Sequence, residues 1–426
     1  MMASASHSGA RPIVGMLVGG GPAPGINSVI SAVTIRSIIG GSEVLGFLDG
    51  FKWLMEGSTE HVHPLSIEEV SRIHFRGGSH LGTSRANPTK KPEHLDQVLS
   101  TLTRLGVTRL VTIGGDDTAF SALKLEARSQ GRLQVVHVPK TIDNDLDLPH
   151  GIPTFGFQTA RHFGVEILKN LMVDARTTSR WYLTVTMGRK AGHLALGIGK
   201  AAGATLTVIP EEFSERPVKL QRLVDAVIGT MIKRFESGRT DGVIVLAEGL
   251  IEIVDQEDLG GLEHVERDEH GHLRLSEVDI GDLLRREVAK ALKTLGLSVT
   301  VVSKNVGYEL RCADPIPYDM EYTRDLGYCA AQYLLDGGTA AMVSIQDGRF
   351  SPIPFKHMLD PVTGRAKVRM VDTESQSYQI ARQYMIRLND EDFDDPARLS
   401  RHAALVHLSP EAFAQRFAQD KRGTKS

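Results

Sequence analysis

The sequence predicts an α/β protein of two lobes, each built on a mainly parallel sheet flanked by helices. Three observations carry that expectation. At 426 residues the chain is longer than a single core usually accommodates. Short apolar runs alternate with helix-like stretches, the pattern of βαβ units. Glycine-rich or charged motifs follow the apolar runs repeatedly, and open α/β sheets bind ligands beyond the carboxyl ends of their strands.

Ile13 to Val18 reads as a strand ending in Gly19, Gly20 and Gly21, followed by a helix from about Asn27 to Ile39. The turn GGGPAPGIN matches neither GxGxxG nor a Walker A ending, yet its glycines let backbone N–H groups approach a phosphate at a helix N-terminus. Its plain alternative is a tight βα turn. Arg76 to Arg85 (RGGSHLGTSR) is a loop with two guanidinium groups able to clamp phosphate. A helix is expected over Glu93 to Leu105, a strand over Arg109 to Ile113 ending in GGDDT, a helix over Ser121 to Arg128, and a strand over Gln134 to Val138 ending in PKTIDND. The last motif leaves little apolar surface to bury, so it borders water or a ligand.

The second half repeats the pattern. A helix over about Thr159 to Asp174 precedes a strand over Tyr182 to Thr186 that leads into MGRKAG; further strands are expected at Ala204 to Ile209 and at Gly242 to Leu246, the latter leading into AEG. Glu252 to Glu277 reads as an exposed insertion, and its His264, His270 and His272 match no metal-ligand spacing. A helix over Gly281 to Leu295, a strand over Val299 to Val302, the motif GYELR at Gly307 to Arg311 and a helix over Tyr322 to Leu335 follow. Beyond Pro361 the chain is charged and motif-poor, suited to helices that cover a lobe or make an oligomer contact. The lobes expected are 11–155 with about 310–360, and 156–309 with about 361–426.

Net charge, 49 basic minus 52 acidic groups, is -3, which offers no global field for nucleic acid or an acidic membrane. No run approaches the ~20 apolar residues of a membrane span. Two cysteines are too few for a disulfide framework, so a cytoplasmic location is expected. Met1 to Ala10 lacks the features of a signal peptide and reads as a disordered tail.

Phosphoryl transfer needs a donor cradle, a divalent metal, a proton acceptor and cations on the moving group. Gly20 and Gly21 are candidates for the cradle, Asp116 for Mg²⁺, and Asp143 or Asp145 for the base. Arg85, Lys140, Arg180, Arg189 and Arg311 are the candidate cations.

In order along the chain, GGxAPGxN at Gly20 to Asn27, GGDDT, PKTIDND, MGRKAG, AEG and GYELR resemble the motif set of the phosphofructokinase family. The resemblance spans about Ile13 to Leu335. It implies a two-lobed enzyme that phosphorylates the 1-hydroxyl of fructose 6-phosphate with Mg²⁺. It further implies Asp143 as proton acceptor, Asp116 as metal ligand, and Thr141 and Asp145 as groups assisting at the phosphoryl group. Thr141, Ile142 and Asp143, with Met187, Gly188, Arg189, Glu248, Tyr308 and Arg311, would contact the sugar phosphate. Arg180 would serve a neighbouring subunit, implying a homodimer or larger homo-oligomer. Members that use ATP have glycine at the positions of Asp117 and Lys140, so this chain resembles the pyrophosphate-dependent branch. The chemistry agrees, since the Asp117 carboxylate repels an α-phosphate and the Lys140 ammonium neutralises a bare pyrophosphate; pairing of the two with each other is the plain alternative. Pro22 replaces an aspartate common in relatives, and Tyr308 replaces a histidine. Alternatives to the pyrophosphate reading are ATP as donor, sedoheptulose 7-phosphate as acceptor, and a non-catalytic regulatory subunit that binds sugar phosphate.

Overall fold

The computed structural model describes residues 11–149, 151–259, 278–360 and 367–418. The expected tail at Met1 to Ala10, and the three histidines of the expected insertion, lie outside the described residues. The chain divides into two compact units, Met1–Ala160 with Glu309–Arg369, and Arg161–Tyr308 with Met370–Ser426.

In the first unit the apolar runs become the strands β1 (Ile13–Val18), β2 (Glu43–Phe47), β3 (Val62–Pro64), β4 (Val107–Gly114) and β5 (Gln134–Pro139). With the two-residue strands Ala341–Met342 and Ile353–Pro354 they form one sheet. Its order is Ile353–Pro354, Ala341–Met342, β5, β4, β1, β2, β3. The interior pairings are parallel and only the two outermost strands run antiparallel. Successive residues face opposite sides of a strand, and the central strands are apolar on both. Met16, Val18, Val111, Ile113, Val136 and Val138 pack under the helices Ile26–Ile39 and Pro317–Leu335. Leu17, Leu110 and Val135 pack on the other side, under the helices Pro92–Arg104 and Asp116–Ser129. Such double coverage explains near-continuous hydrophobic runs in place of alternation. β2 and β3 escaped the sequence reading because EVLGF and VHP are short and only partly apolar.

The position of β1 matters most for function. Its chain crosses to β2 on one side, while β4 lies on the other and leads on to β5. The crevice between the ends of β1 and β4 is therefore a topological switch point, where doubly wound sheets bind ligands.

The second unit contains β6 (Arg180–Thr186), β7 (Leu206–Val208), β8 (Gly242–Ala247) and β9 (Thr300–Val306), all parallel, in the order β7, β8, β6, β9. Its core joins these strands to the helices Leu220–Glu236 and Ile280–Thr294. The charged C-terminal stretch contributes Ala403, Phe413 and Phe417, so the helices Pro396–Leu405 and Pro410–Phe417 cover this unit.

Two expectations are corrected. Asp116 and Asp117 do not sit in a loop ahead of a helix beginning near Ser121. They form the first turn of the helix Asp116–Ser129, where acidic side chains complement the positive end of the dipole. The stretch from Glu252 does not begin as an exposed insertion either. Ile253, Val254 and Leu259 are buried in the second core, and Val254 bridges Val218, because this segment supplies apolar side chains before its charged part begins.

Candidate active site

Three neighbouring strand ends build one pocket wholly within the first unit. β1 delivers Gly20 and Gly21, β4 delivers Asp116 and Asp117, and β5 delivers Lys140, Thr141, Ile142 and Asp143; Ser84, Arg85, Asn87 and Arg311 complete the wall. The cavity measures about 200 Å³, below the roughly 300–1,000 Å³ of pockets for drug-sized ligands.

The backbone favours glycine at 20, and at 21 glycine keeps clear of Arg311. Gly20 has φ 82°, left-handed backbone, and a Cβ there would lie 3.4 Å from the Lys140 ammonium. At Gly21 a Cβ would lie 3.2 Å from a guanidinium nitrogen of Arg311. The turn is held rather than loose: Gly20 N–H donates to the Ser84 carbonyl at 2.8 Å, and the Thr83 hydroxyl donates to the Gly20 carbonyl at 2.5 Å. That ties the RGGSHLGTSR loop to the end of β1 and sets Arg85 at the pocket.

Lys140 is buried to 4% exposure, and its ammonium donates to the Gly21 carbonyl. Desolvation, then the Arg311 guanidinium, pushes its pKa down from 10.5 to about 8; Asp143 acts in the opposite direction and Arg85 lowers it further. No ion pair within 4 Å joins Lys140 to Asp117 among the described residues, so the alternative in which the two merely neutralise each other does not hold. Asp117 is exposed, while its backbone N–H donates to Asp116 Oδ1 at 2.9 Å.

The PKTIDND loop is braced by residues that carry no motif. His137, fully buried in β5, has Nε2 3.0 Å from the Gly114 carbonyl and Nδ1 2.9 Å from the Thr112 hydroxyl. Burial pushes its pKa down to about 3, so the ring is neutral, with the proton on Nε2 where only an acceptor faces it. The same Gly114 carbonyl receives Lys140 N–H at 2.8 Å. Asp143 N–H donates to Thr141 Oγ1 at 3.0 Å, and the Thr154 hydroxyl donates to the Thr141 carbonyl at 2.7 Å. Asn144 takes φ 58°, tolerated by asparagine, and its carbonyl accepts from Arg369 Nε at 3.1 Å; Arg369 also donates to the Ile152 carbonyl at 2.7 Å. Asp145 is not among the pocket-lining residues; its carbonyl accepts from Arg369 N–H at 2.9 Å.

The motifs of the second half gather in the second unit in the same manner. β8, β6 and β9 are neighbours, with Thr186 in register with Ala247 and Val306, so MGRKAG, AEG and GYELR begin at adjacent strand ends. Gly249 N–H donates to the Gly188 carbonyl at 3.2 Å, and a Cβ at Gly307 would lie 2.7 Å from Met187 Cγ. Arg189 pairs with Glu252 at 3.1 Å, and Glu248 is half-buried. Arg180 opens β6, with Nε 3.8 Å from Asp174, which also accepts the Tyr182 hydroxyl at 2.5 Å. GYELR straddles the unit boundary, so exposed Tyr308 belongs to the second unit and Arg311 to the pocket of the first.

Carboxylates of Asp116, Asp117 and Asp143 line the pocket with hydroxyls of Ser84 and Thr141, and no sulfur or imidazole is present there. An all-oxygen set fits a hard cation such as Mg²⁺.

A family profile described as Phosphofructokinase matches residues 13–334. The chain is 53% identical to a pyrophosphate–fructose 6-phosphate 1-phosphotransferase of Thermotoga maritima over 95% of this chain and 97% of that one. It is 49% identical to a protein of the same name from Naegleria fowleri, over 95% of each chain. Among solved structures, a pyrophosphate-dependent phosphofructokinase from Nitrosospira multiformis superposes with a TM-score of 0.67 at 16% identity, covering 89% of this chain and 92% of that one, a likeness of fold.

The depressed lysine pKa sets a stability test. An ammonium with a lower pKa in the folded than in the unfolded chain penalises the fold while both states are protonated, below about pH 8, and the penalty fades as pH rises toward 10.5. Lys140→Met is expected to stabilise the ligand-free protein at neutral pH by about 1–3 kcal/mol in denaturant unfolding. The gain should shrink as pH rises through the window from about 8 to 10.5. A variant less stable than the parent at neutral pH would contradict the burial account of Lys140.

Proposed function

The chain belongs to the phosphofructokinase family, and we propose that it transfers a phosphoryl group reversibly from pyrophosphate to the 1-hydroxyl of fructose 6-phosphate, giving fructose 1,6-bisphosphate and phosphate. The observation that carries the donor assignment is the buried Lys140 ammonium in a small pocket whose rim holds the Asp117 carboxylate. Pyrophosphate presents dense charge and no nucleoside, which suits a recessed cation. An α-phosphate would bring further negative charge toward Asp117.

In the reaction the sugar hydroxyl attacks one phosphorus, the bridging P–O bond breaks, and phosphate leaves with the bridge electrons. Asp143 accepts the hydroxyl proton. Lys140, Arg85 and Arg311 offset the charge of the transferring and leaving groups, and Gly20 and Gly21 present backbone to the donor. Thr141 holds the Asp143 backbone, and Asp145 acts through the loop that Arg369 fixes. Asp116 is assigned as the Mg²⁺ ligand; when bound, the ion neutralises pyrophosphate oxygens and orients them. Thr141, Ile142, Met187, Gly188, Arg189, Glu248 and Tyr308 are assigned to fructose 6-phosphate. Arg180 is assigned to another copy's site in a homo-oligomer. The cytoplasmic location is proposed on the scarcity of cysteine, and both cysteines are free; no described helix is long and apolar enough to cross a membrane.

Two kinetic experiments test this reading. Purified protein assayed with fructose 6-phosphate and Mg²⁺ is expected to turn over with pyrophosphate and to show little activity with ATP; turnover with ATP alone would overturn the donor assignment. Asp143→Asn should lower kcat by about 10²–10⁴-fold with the fold intact by circular dichroism. Near-normal kcat in that variant would remove Asp143 from its role.

A further inference from the structure

Away from the donor pocket, a second cluster brings unlike ligating groups to one point. His63 lies in β3, Glu69 in the single-turn helix Ile67–Val70, and His80 in the glycine-rich loop. Nε2 of His63 lies 2.6 Å from Glu69 Oε1, and Nε2 of His80 lies 2.8 Å from the same oxygen. The two rings are 5.9 Å apart at 69°, so each offers its nitrogen edge to the carboxylate from a different direction. The three ligand atoms fall within 4.8 Å of one another.

The geometry points to a binding site for a divalent transition metal of the zinc class, held by His63, Glu69 and His80. Imidazole nitrogen and carboxylate oxygen suit borderline cations, in contrast to the all-oxygen donor pocket, so the two sites select different ions. Zinc bonds of about 2.0–2.2 Å at tetrahedral angles would need each histidine nitrogen to part from the Glu69 oxygen by roughly 0.5–1 Å. The side chains are 44%, 30% and 31% exposed, which leaves room for that movement and for a water as fourth ligand.

The consequence is mechanical. His80 stands five residues before Arg85, and the segment between is bonded at several points: His80 N–H donates to Asn27 Oδ1 at 2.7 Å, Asp49 N–H to the Leu81 carbonyl at 2.9 Å, and Thr83 to Gly20. A metal joining His80 to the edge strand would fasten the far end of the loop whose near end lines the donor pocket. It would slow local opening of that loop. The inference stands whichever phosphate donor the pocket takes.

The probe is Co²⁺, titrated into the full-length protein with excess Mg²⁺ present to occupy oxygen-only sites. One saturating equivalent is expected, with visible absorption of four-coordinate nitrogen–oxygen ligation, and His63→Gln and His80→Gln should each weaken binding at least about tenfold. Unchanged affinity in both variants, or no saturable binding to the wild type, would overturn the assignment. A measurement without variants runs in parallel: Zn²⁺ should protect His63 and His80 from diethyl pyrocarbonate, read by peptide mass spectrometry. Protection of other histidines in their place would equally refute it.

Discussion

The ammonium of Lys140 is the group on which the donor site depends. It is withdrawn from water at the end of a central strand, beside two guanidinium groups, with a glycine carbonyl as its hydrogen-bond acceptor and Asp143 as the carboxylate that favours its charge. A cation so placed is costly to the ligand-free fold and gains most from a compact polyanion. Around it the backbone is fitted closely: Gly20 takes a left-handed φ of 82° that favours glycine, and a Cβ at Gly21 would lie 3.2 Å from Arg311. The neutral, fully buried His137 backs the Gly114 carbonyl to which the Lys140 amide is tied. Stability is thus given up at the place where the charge is needed.

The order of the strands makes the site possible. β1, β4 and β5 are adjacent and parallel, so three loops far apart in sequence emerge at one edge beside the switch point. The second unit repeats the device with β8, β6 and β9. Family membership and fold agree with that arrangement: the profile match covers residues 13–334, and structural likeness persists at 16% identity.

Much of the fold was legible because apolar runs with polar endings carry a strand-then-ligand signal that needs no long-range information. Asp143, Lys140 and Asp116 were legible for the same reason, being charges where burial alone would forbid them. What stayed hidden was support. Arg369 lies in a stretch without motif, and its bond to Asn144 joins positions 225 apart, which no local pattern encodes. His137 reads in QVVHV as a strand residue, and only the fold shows its ring facing Thr112 and Gly114. The start of the helix at Asp116 was missed because an acidic pair after two glycines resembles a loop as much as a favourable helix N-terminus. His63, Glu69 and His80 have no recognisable spacing, and an edge strand, a short helix and a loop bring them together.

The central claim is that Lys140 meets the pyrophosphate as a proton-sensitive cation, and calorimetry tests it directly. Pyrophosphate binding measured near pH 8, in two buffers of different ionisation enthalpy, gives the protons taken up. Because burial pushes the Lys140 pKa down to about 8 in the ligand-free protein, the wild type should take up a fraction of a proton more than Lys140→Arg, whose guanidinium stays charged throughout. Equal proton uptake by the two proteins would contradict the account.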